Sequence, residues 1–182
     1  MSFDSSVSYN DFPSDPVGSY FARFPSFTYI PNHDWRQLRA FYDLADHFTW
    51  SHRQKLTERL KLRALWIQAA ELEFSGSSLQ DYQDLCHELQ IYPVPGSLQE
   101  CKDRLTGVYV NIVDLVQYRR DKRMGLLDGG EGLWRFESLG GLREYSVEER
   151  KVWPWHEAKS EMLRELLKAQ AGLTVTKRRV II

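Results

Sequence analysis

Ser97–Arg123, SLQECKDRLTGVYVNIVDLVQYRRDKR, is the stretch on which the reading of the fold turns. Leu98, Cys101, Leu105, Val108, Ile112 and Leu115 recur at steps of three and four, with Val116 alongside. That is the period of one helix face, held for about five turns. Val110 and Val113 widen the apolar surface beyond a single stripe, so such a helix needs cover on more than one side. It ends on Arg119, Arg120, Lys122 and Arg123. An enclosed centre and a basic tip predict a central rod over 97–121 in an all-α fold. The competing reading is a strand over Val108–Val113, VYVNIV, which is rich in β-branched residues. The unbroken three-four spacing favours the helix.

The rest of the chain must supply helices to cover this rod. Residues 1–19 are rich in Ser, Asp and Pro and read as a mobile tail. Tyr20, Phe21, Phe24, Phe27 and Tyr29, interrupted by Pro25 and Pro31, predict an extended aromatic arm laid on the helical body. Asn32 or Asp34 is placed to cap a helix to about Thr49, with Trp35, Leu38, Phe41, Tyr42, Ala45 and Phe48 inward. Ser51 with Gln54 forms a capping-box pattern opening a longer helix. Its expected inner face is Leu56, Leu60, Ala64 and Ile67 with Leu65 and Leu72 on the flank, and its outer face Arg53, Lys55, Glu58, Arg59, Lys61 and Arg63. Gly76 stops it, and Ser78 caps a helix with Leu79, Tyr82, Leu85, Cys86 and Leu89 inward. Pro93-Val-Pro95-Gly96 is a rigid turn, and Ser97 with Glu100 is a second capping box. Gly125–Gly132 breaks the chain, and a short helix or turn follows through Leu139 and Leu142. Ser146 with Glu149 suggests a further helical turn, and Lys151–Trp155 an extended segment, because the residue before a proline avoids helical dihedrals. A last helix over Glu157–Ala171 turns Ala158, Met162, Leu163, Leu166 and Leu167 inward. The expected plan is a 1–19 tail, one helical-bundle domain of five to six helices over 20–172, and a 173–182 C-terminal tail.

The totals agree with such a plan. The chain has 182 residues, enough for one domain with a sizeable core. A net charge of −1 argues against a protein wholly devoted to gripping nucleic acid, though not against a local basic patch. Two cysteines, Cys86 and Cys101, are too few for a disulfide framework and read as small core hydrophobes in a reducing compartment. No apolar run approaches the roughly 20 residues needed to span a bilayer. The N-terminal MSFDSSVSYNDFPSDP has neither a basic start nor an apolar centre. An intracellular protein, cytoplasmic or nuclear, is expected.

Six segments resemble a family of small ascomycete fungal proteins of unassigned function: FARFPSFTYIPN (21–32), LCHELQIYPVPGSLQECK (85–102), VNIVDLVQYRR (110–120), LREYS (142–146), KVWPWHEAK (151–159) and LRELL (163–167). The resemblance implies a fungal source and a single helical unit. It carries over no active site, cofactor or substrate. Trp155 departs from the family pattern, which has an aliphatic residue there, and the glycine run around Asp128 is peculiar to this chain.

Three groups of residues are candidates for function, each with a purely structural alternative. Asn111 and Asp114 lie one turn apart amid Val110, Ile112, Val113, Leu115 and Val116. They are either a ligand-facing acid and amide or a buried structural pair, the latter favoured because structural networks also bury carboxylates. Arg119, Arg120, Lys122 and Arg123, with Lys177, Arg178 and Arg179, are either a phosphate-binding patch or a solvated helix end. Arg53, Lys55, Arg59, Lys61 and Arg63 would extend such a patch. Trp134, Phe136, Trp153 and Trp155 form either an exposed groove for a partner or a satellite core with one or two rings at its rim.

Catalytic signatures are missing from the sequence. There is no HExxH, no Cys/His metal spacing, no GxxxxGK phosphate loop and no GxSxG turn. The expected role is therefore a non-enzymatic protein-interaction or regulatory module, without cofactor or metal, that binds another protein. The alternative is a nucleic-acid-associated protein using the basic helix ends and tail. A homodimer is also open, through Leu126, Leu127, Trp134 or Val180–Ile182.

Overall fold

Asp15 and Pro16 open a helix that the expected tail and arm did not contain. The computed structural model describes residues 15–29, 37–125, 127, 133–149, 151–153 and 157–168. Among these residues there are eight helices and one two-stranded sheet, and the fold is all-α. The chain divides into two compact units, Met1–Ala69 and Ala70–Ile182. No helix among the described residues is long and apolar enough to cross a membrane.

In the first unit, α1 (Pro16–Ala22) is capped by Asp15, whose carboxylate accepts from the Gly18 amide at 2.8 Å. Proline at the first helical position needs no partner for its nitrogen, so Asp-Pro is a start signal. Val17, Tyr20 and Phe21 bury one face, which corrects the tail expected through residue 19. The arm then turns rather than extending. The Tyr29 ring stacks back on Phe21 at 3.9 Å and 8°, while Phe24 meets Phe48 and Trp50, each at 5.5 Å. In α2 (Gln37–His47), Phe41, Leu44 and Ala45 are buried, but Tyr42 is exposed, as is Phe48 just past the helix.

The capping box at Ser51 forms as read. The Gln54 side chain accepts from the Ser51 amide at 2.9 Å and Ser51 Oγ accepts from the Gln54 amide at 3.4 Å. It opens α3 (His52–Glu73), but that helix is rotated from the expected orientation. Leu62, Trp66 and Ala69 are buried, while Leu56, Leu60 and Ala64 face outward. The supposed outer residues Glu58, Arg59 and Arg63 are half-buried. Trp66 is the largest apolar group on the helix, and its burial with Leu62 outweighs the Leu56–Leu60 pair. Polar partners accept the inward charges: Arg23 reaches Glu58 at 3.6 Å and Arg59 donates to the Tyr42 hydroxyl at 3.3 Å.

In the second unit α3 is followed by Gly76, which no larger residue can replace without meeting the Asp81 side chain 2.5 Å from the position of an added Cβ. Asp81 closes a capping box with Ser78 at the start of α4 (Leu79–Glu88). Hydrogen bonds from the Ser78 hydroxyl and amide hold the Asp81 carboxyl below the usual carboxylate range. Tyr82, Leu85, Cys86 and Leu89 are fully buried along the predicted face, whereas Leu79, also expected inward, is exposed in the first turn.

The continuous rod over 97–121 is not present. Ser97 caps α5 (Leu98–Leu105), and the helix stops at Thr106-Gly107. Tyr109–Val110 form β1, pairing antiparallel with β2 (Arg135–Phe136) in the register Tyr109↔Phe136 and Val110↔Arg135. A new helix, α6 (Ile112–Arg123), starts at Asn111. Glycine ends one helix, β-branched residues favour the extended backbone, and asparagine begins the next. The rival strand reading was therefore correct at Tyr109–Val110. The apolar residues are enclosed all the same: Cys101, Leu105, Val108, Val110, Ile112, Leu115 and Val116 are buried.

Helix α7 (Leu139–Glu148) packs on both strands. Ser146 lies inside it rather than capping a further turn, because its hydroxyl bonds back to the Leu142 carbonyl at 2.7 Å. Helix α8 (Glu161–Lys168) packs on α5, with Met162, Leu163, Leu166 and Leu167 buried. The Glu71 carboxylate accepts from the Lys159 and Ser160 amides at 2.6 and 2.7 Å, placing a negative charge where the helix dipole favours it.

Candidate protein-binding site

The centre of the second unit is built on Asn111. Its Oδ1 accepts from the Val113 amide at 2.9 Å and the Asp114 amide at 3.2 Å, satisfying the free donors at the start of α6. Its Nδ2 donates to Ser146 Oγ and to the Lys151 carbonyl, each at 2.9 Å. One side chain, only 2% exposed, thus joins the strand-to-helix turn, α7 and the segment after α7. This is the structural pair reading of Asn111, with partners 35 and 40 residues away.

Asp114 faces the same segment. Its Oδ1 accepts from Lys151 Nζ at 2.7 Å and its Oδ2 from the Tyr145 hydroxyl at 2.8 Å. Lys151 Nζ also reaches the Tyr145 hydroxyl at 2.7 Å and lies 5.0 Å from the centre of the Tyr145 ring. The lysine is buried and the carboxylate is partly exposed. A buried ammonium with a carboxylate, a hydroxyl and a ring face around it is compensated. The partners of Asp114 are thus a lysine and a tyrosine.

This polar triangle supports the aromatic residues. The Phe136 ring lies 5.0 Å from Tyr145, and the Trp134 ring 6.5 Å from Phe136. Between them Arg135 donates to the Leu89 carbonyl at 2.7 Å and the Gln90 carbonyl at 3.3 Å, using the open acceptors at the end of α4. The strand is pinned on both sides, while Trp134 itself is 72% exposed. Trp153 is buried, which removes it from any surface, and Trp155 lies outside the described residues. Of the four aromatic candidates, the structure brings Trp134 and Phe136 together.

The basic helix end is occupied by acids. Arg119 meets Glu88 at 2.8 Å, the Glu73 carbonyl at 2.5 Å, and the Phe74 ring at 4.5 Å. Lys122 reaches Glu88 at 2.8 Å and Arg123 reaches Glu73 at 2.9 Å. The Glu88 hydrogen bond raises the Lys122 ammonium above its usual range. Arg120 is 1% exposed and bonds Gln117, which in turn bonds Asp121 at 2.7 Å. One arginine of the expected phosphate patch is thus enclosed, and the other three cations face glutamates that a phosphate would have to displace. Lys177, Arg178, Arg179, Leu126 and Val180–Ile182 lie outside the described residues.

Arg135, Tyr145, Ser146 and Lys151 complete the site without having been selected from the sequence. None of them lies in a catalytic or binding signature. Among the described residues no group of three His, Cys, Asp or Glu side chains is placed to hold a metal ion. No protein-family model, no curated protein and no solved structure matches this chain.

Proposed function

We propose that this chain is a protein-interaction or regulatory module that binds another protein through Trp134 and Phe136. The observation that supports it is an exposed tryptophan next to a strand held in place by Arg135 on one side and by Phe136 on Tyr145 on the other. Interface energy concentrates in aromatic anchors that are rigid before binding, because little side-chain freedom is then lost. The Asp114–Lys151–Tyr145 triangle is the support of this platform, with no role in chemistry. A cytoplasmic or nuclear setting fits two buried free thiols.

The test places a photo-crosslinking phenylalanine analogue at position 134 of the full chain in cells. One trapped protein is expected, and the purified wild-type chain should bind it directly. Trp134→Ala should weaken that binding at least tenfold, about 1.4 kcal/mol, with an unchanged circular dichroism spectrum. Equal affinity of the two chains, or no trapped protein, refutes the proposal.

A further inference from the structure

Three hydroxyl residues of this chain stand three places after an arginine: Ser26 after Arg23, Ser138 after Arg135 and Ser146 after Arg143. Serine kinases choose substrates by such charge patterns, an acidic pocket beside the transfer point taking the guanidinium. The structure separates the three serines. Ser146 is buried, donating to the Leu142 carbonyl at 2.7 Å and accepting from Asn111 at 2.9 Å. Ser138 caps α7 by accepting from the Gly141 amide at 3.2 Å, and its Arg135 is committed to the Leu89 and Gln90 carbonyls. Ser26 is exposed, and its Oγ lies 3.5 Å from His47 Nε2.

The chain around Ser26 is held lightly enough to be drawn into an enzyme cleft. The Phe27 amide bonds the Phe24 carbonyl at 2.9 Å, and the Phe27 ring rests 6.0 Å from His47 and 6.2 Å from Phe21. A turn tied by one backbone bond and ring contacts opens at small cost. The Arg23 side chain is 47% exposed and meets Glu58 at 3.6 Å, beyond hydrogen-bond length. Glu58 keeps Lys61 at 2.5 Å when Arg23 leaves. A receptor for an added phosphate stands beside the serine. His47 closes α2, and its Nε2 can donate to a phosphate oxygen whether the ring is neutral or charged. Asp46, the neighbouring acid, is matched by Lys55 at 2.7 Å; Asp43, one turn back on α2, opposes the phosphate and limits the gain.

We propose that Ser26 is a phosphorylation site for an arginine-directed serine kinase, and that its phosphate, held by His47, fastens the aromatic segment to the end of α2. In the transfer, Ser26 Oγ bonds to the γ-phosphorus of ATP as the bond from that phosphorus to the β–γ bridging oxygen breaks. ADP leaves, and the hydroxyl proton passes to the catalytic aspartate of the kinase. The phosphoserine carries about two negative charges and three acceptor oxygens, where the unmodified hydroxyl reaches His47 only at 3.5 Å. This site does not depend on Trp134.

The test incubates the full folded chain with ATP and the catalytic subunit of cyclic-AMP-dependent protein kinase, an arginine-directed enzyme, and maps the phosphate by mass spectrometry. Phosphate on Ser26 is expected. Ser26→Ala should abolish incorporation, Arg23→Gln should slow it at least tenfold, and Ser138→Ala should leave it unchanged. Hydrogen exchange of the Phe27 and Thr28 amides should slow severalfold on phosphorylation. His47→Phe keeps a ring against Phe27 and removes the donor; it should be phosphorylated at the wild-type rate without that slowing. No incorporation into the folded chain, phosphate on Thr28, Ser138 or Ser146 in place of Ser26, or an Arg23→Gln rate equal to wild type overturns the site. Unchanged exchange, or equal slowing in His47→Phe, overturns the part given to His47.

Discussion

Asn111 does two jobs at once, and substitutions separate them. Its Oδ1 caps α6, a role worth about 1 kcal/mol. Its Nδ2 holds Ser146 Oγ and the Lys151 carbonyl, two buried bonds worth about 1 kcal/mol each. Asn111→Ala loses both sets and is expected to cost about 3 kcal/mol. Asn111→Asp is the sharper test. Aspartate caps as well as asparagine, so a site that is only a cap would leave stability unchanged. In this fold the second carboxylate oxygen would face the Lys151 carbonyl. The Ser146 hydroxyl cannot turn to help without releasing Leu142, to which it donates at 2.7 Å. Asn111→Asp should therefore cost about 2–3 kcal/mol at pH 7. Part of the loss should return below the ordinary aspartate range, where the protonated acid regains one donor. Urea unfolding followed by circular dichroism reads both effects as midpoint shifts at constant slope. A neutral-pH Asn111→Asp protein within about 0.5 kcal/mol of wild type would refute the double role.

Further expectations follow from the same contacts. Asp114→Ala strands the buried Lys151 ammonium and should cost about 3 kcal/mol, against about 1 for Tyr145→Phe. Adding Lys151→Met to Asp114→Ala should recover part of the loss, and a double variant less stable than Asp114→Ala alone would contradict the pairing. Thr49 sits at φ 49°, a left-handed conformation costly for a β-branched residue. Thr49→Gly should raise stability by about 0.5–1 kcal/mol despite the added freedom of the unfolded chain, and a lower urea midpoint would count against the turn. Burial, with Cys101 beside it, pushes the Cys86 thiol up to about 12. The folded thiol stays protonated where an unfolded one ionises, near roughly 8.5. Its contribution to stability is full below that pH and is lost as pH rises toward 12. Both cysteines should resist iodoacetamide at pH 8 until urea exposes them, and labelling of the native chain at the unfolded rate would show the thiols to be accessible. Trp134→Ala should change stability by less than about 0.5 kcal/mol, as for other exposed positions.

What the sequence by itself determined is the helical class, the starts at Ser51, Ser78 and Ser97, and the buried faces of α4 and α8. Caps and strong three-four stripes are short-range features, readable within one or two turns of chain. The tertiary structure decided the rest. Gly107 and the β-branched run yielded to a strand because Arg135–Phe136 was present to pair with it. Helix α3 carried two apolar stripes, and local periodicity cannot say which one meets neighbours; Trp66 with Leu62 was enclosed and Leu56 with Leu60 was left outside. The basic end of α6 read as a surface patch until Glu88 and Glu73 were found 31 and 50 residues from Arg119 and Arg123. Charges and amides find partners through space, so whether Asn111, Asp114 or Arg119 serves a ligand or the fold depends on what the rest of the chain brings against them.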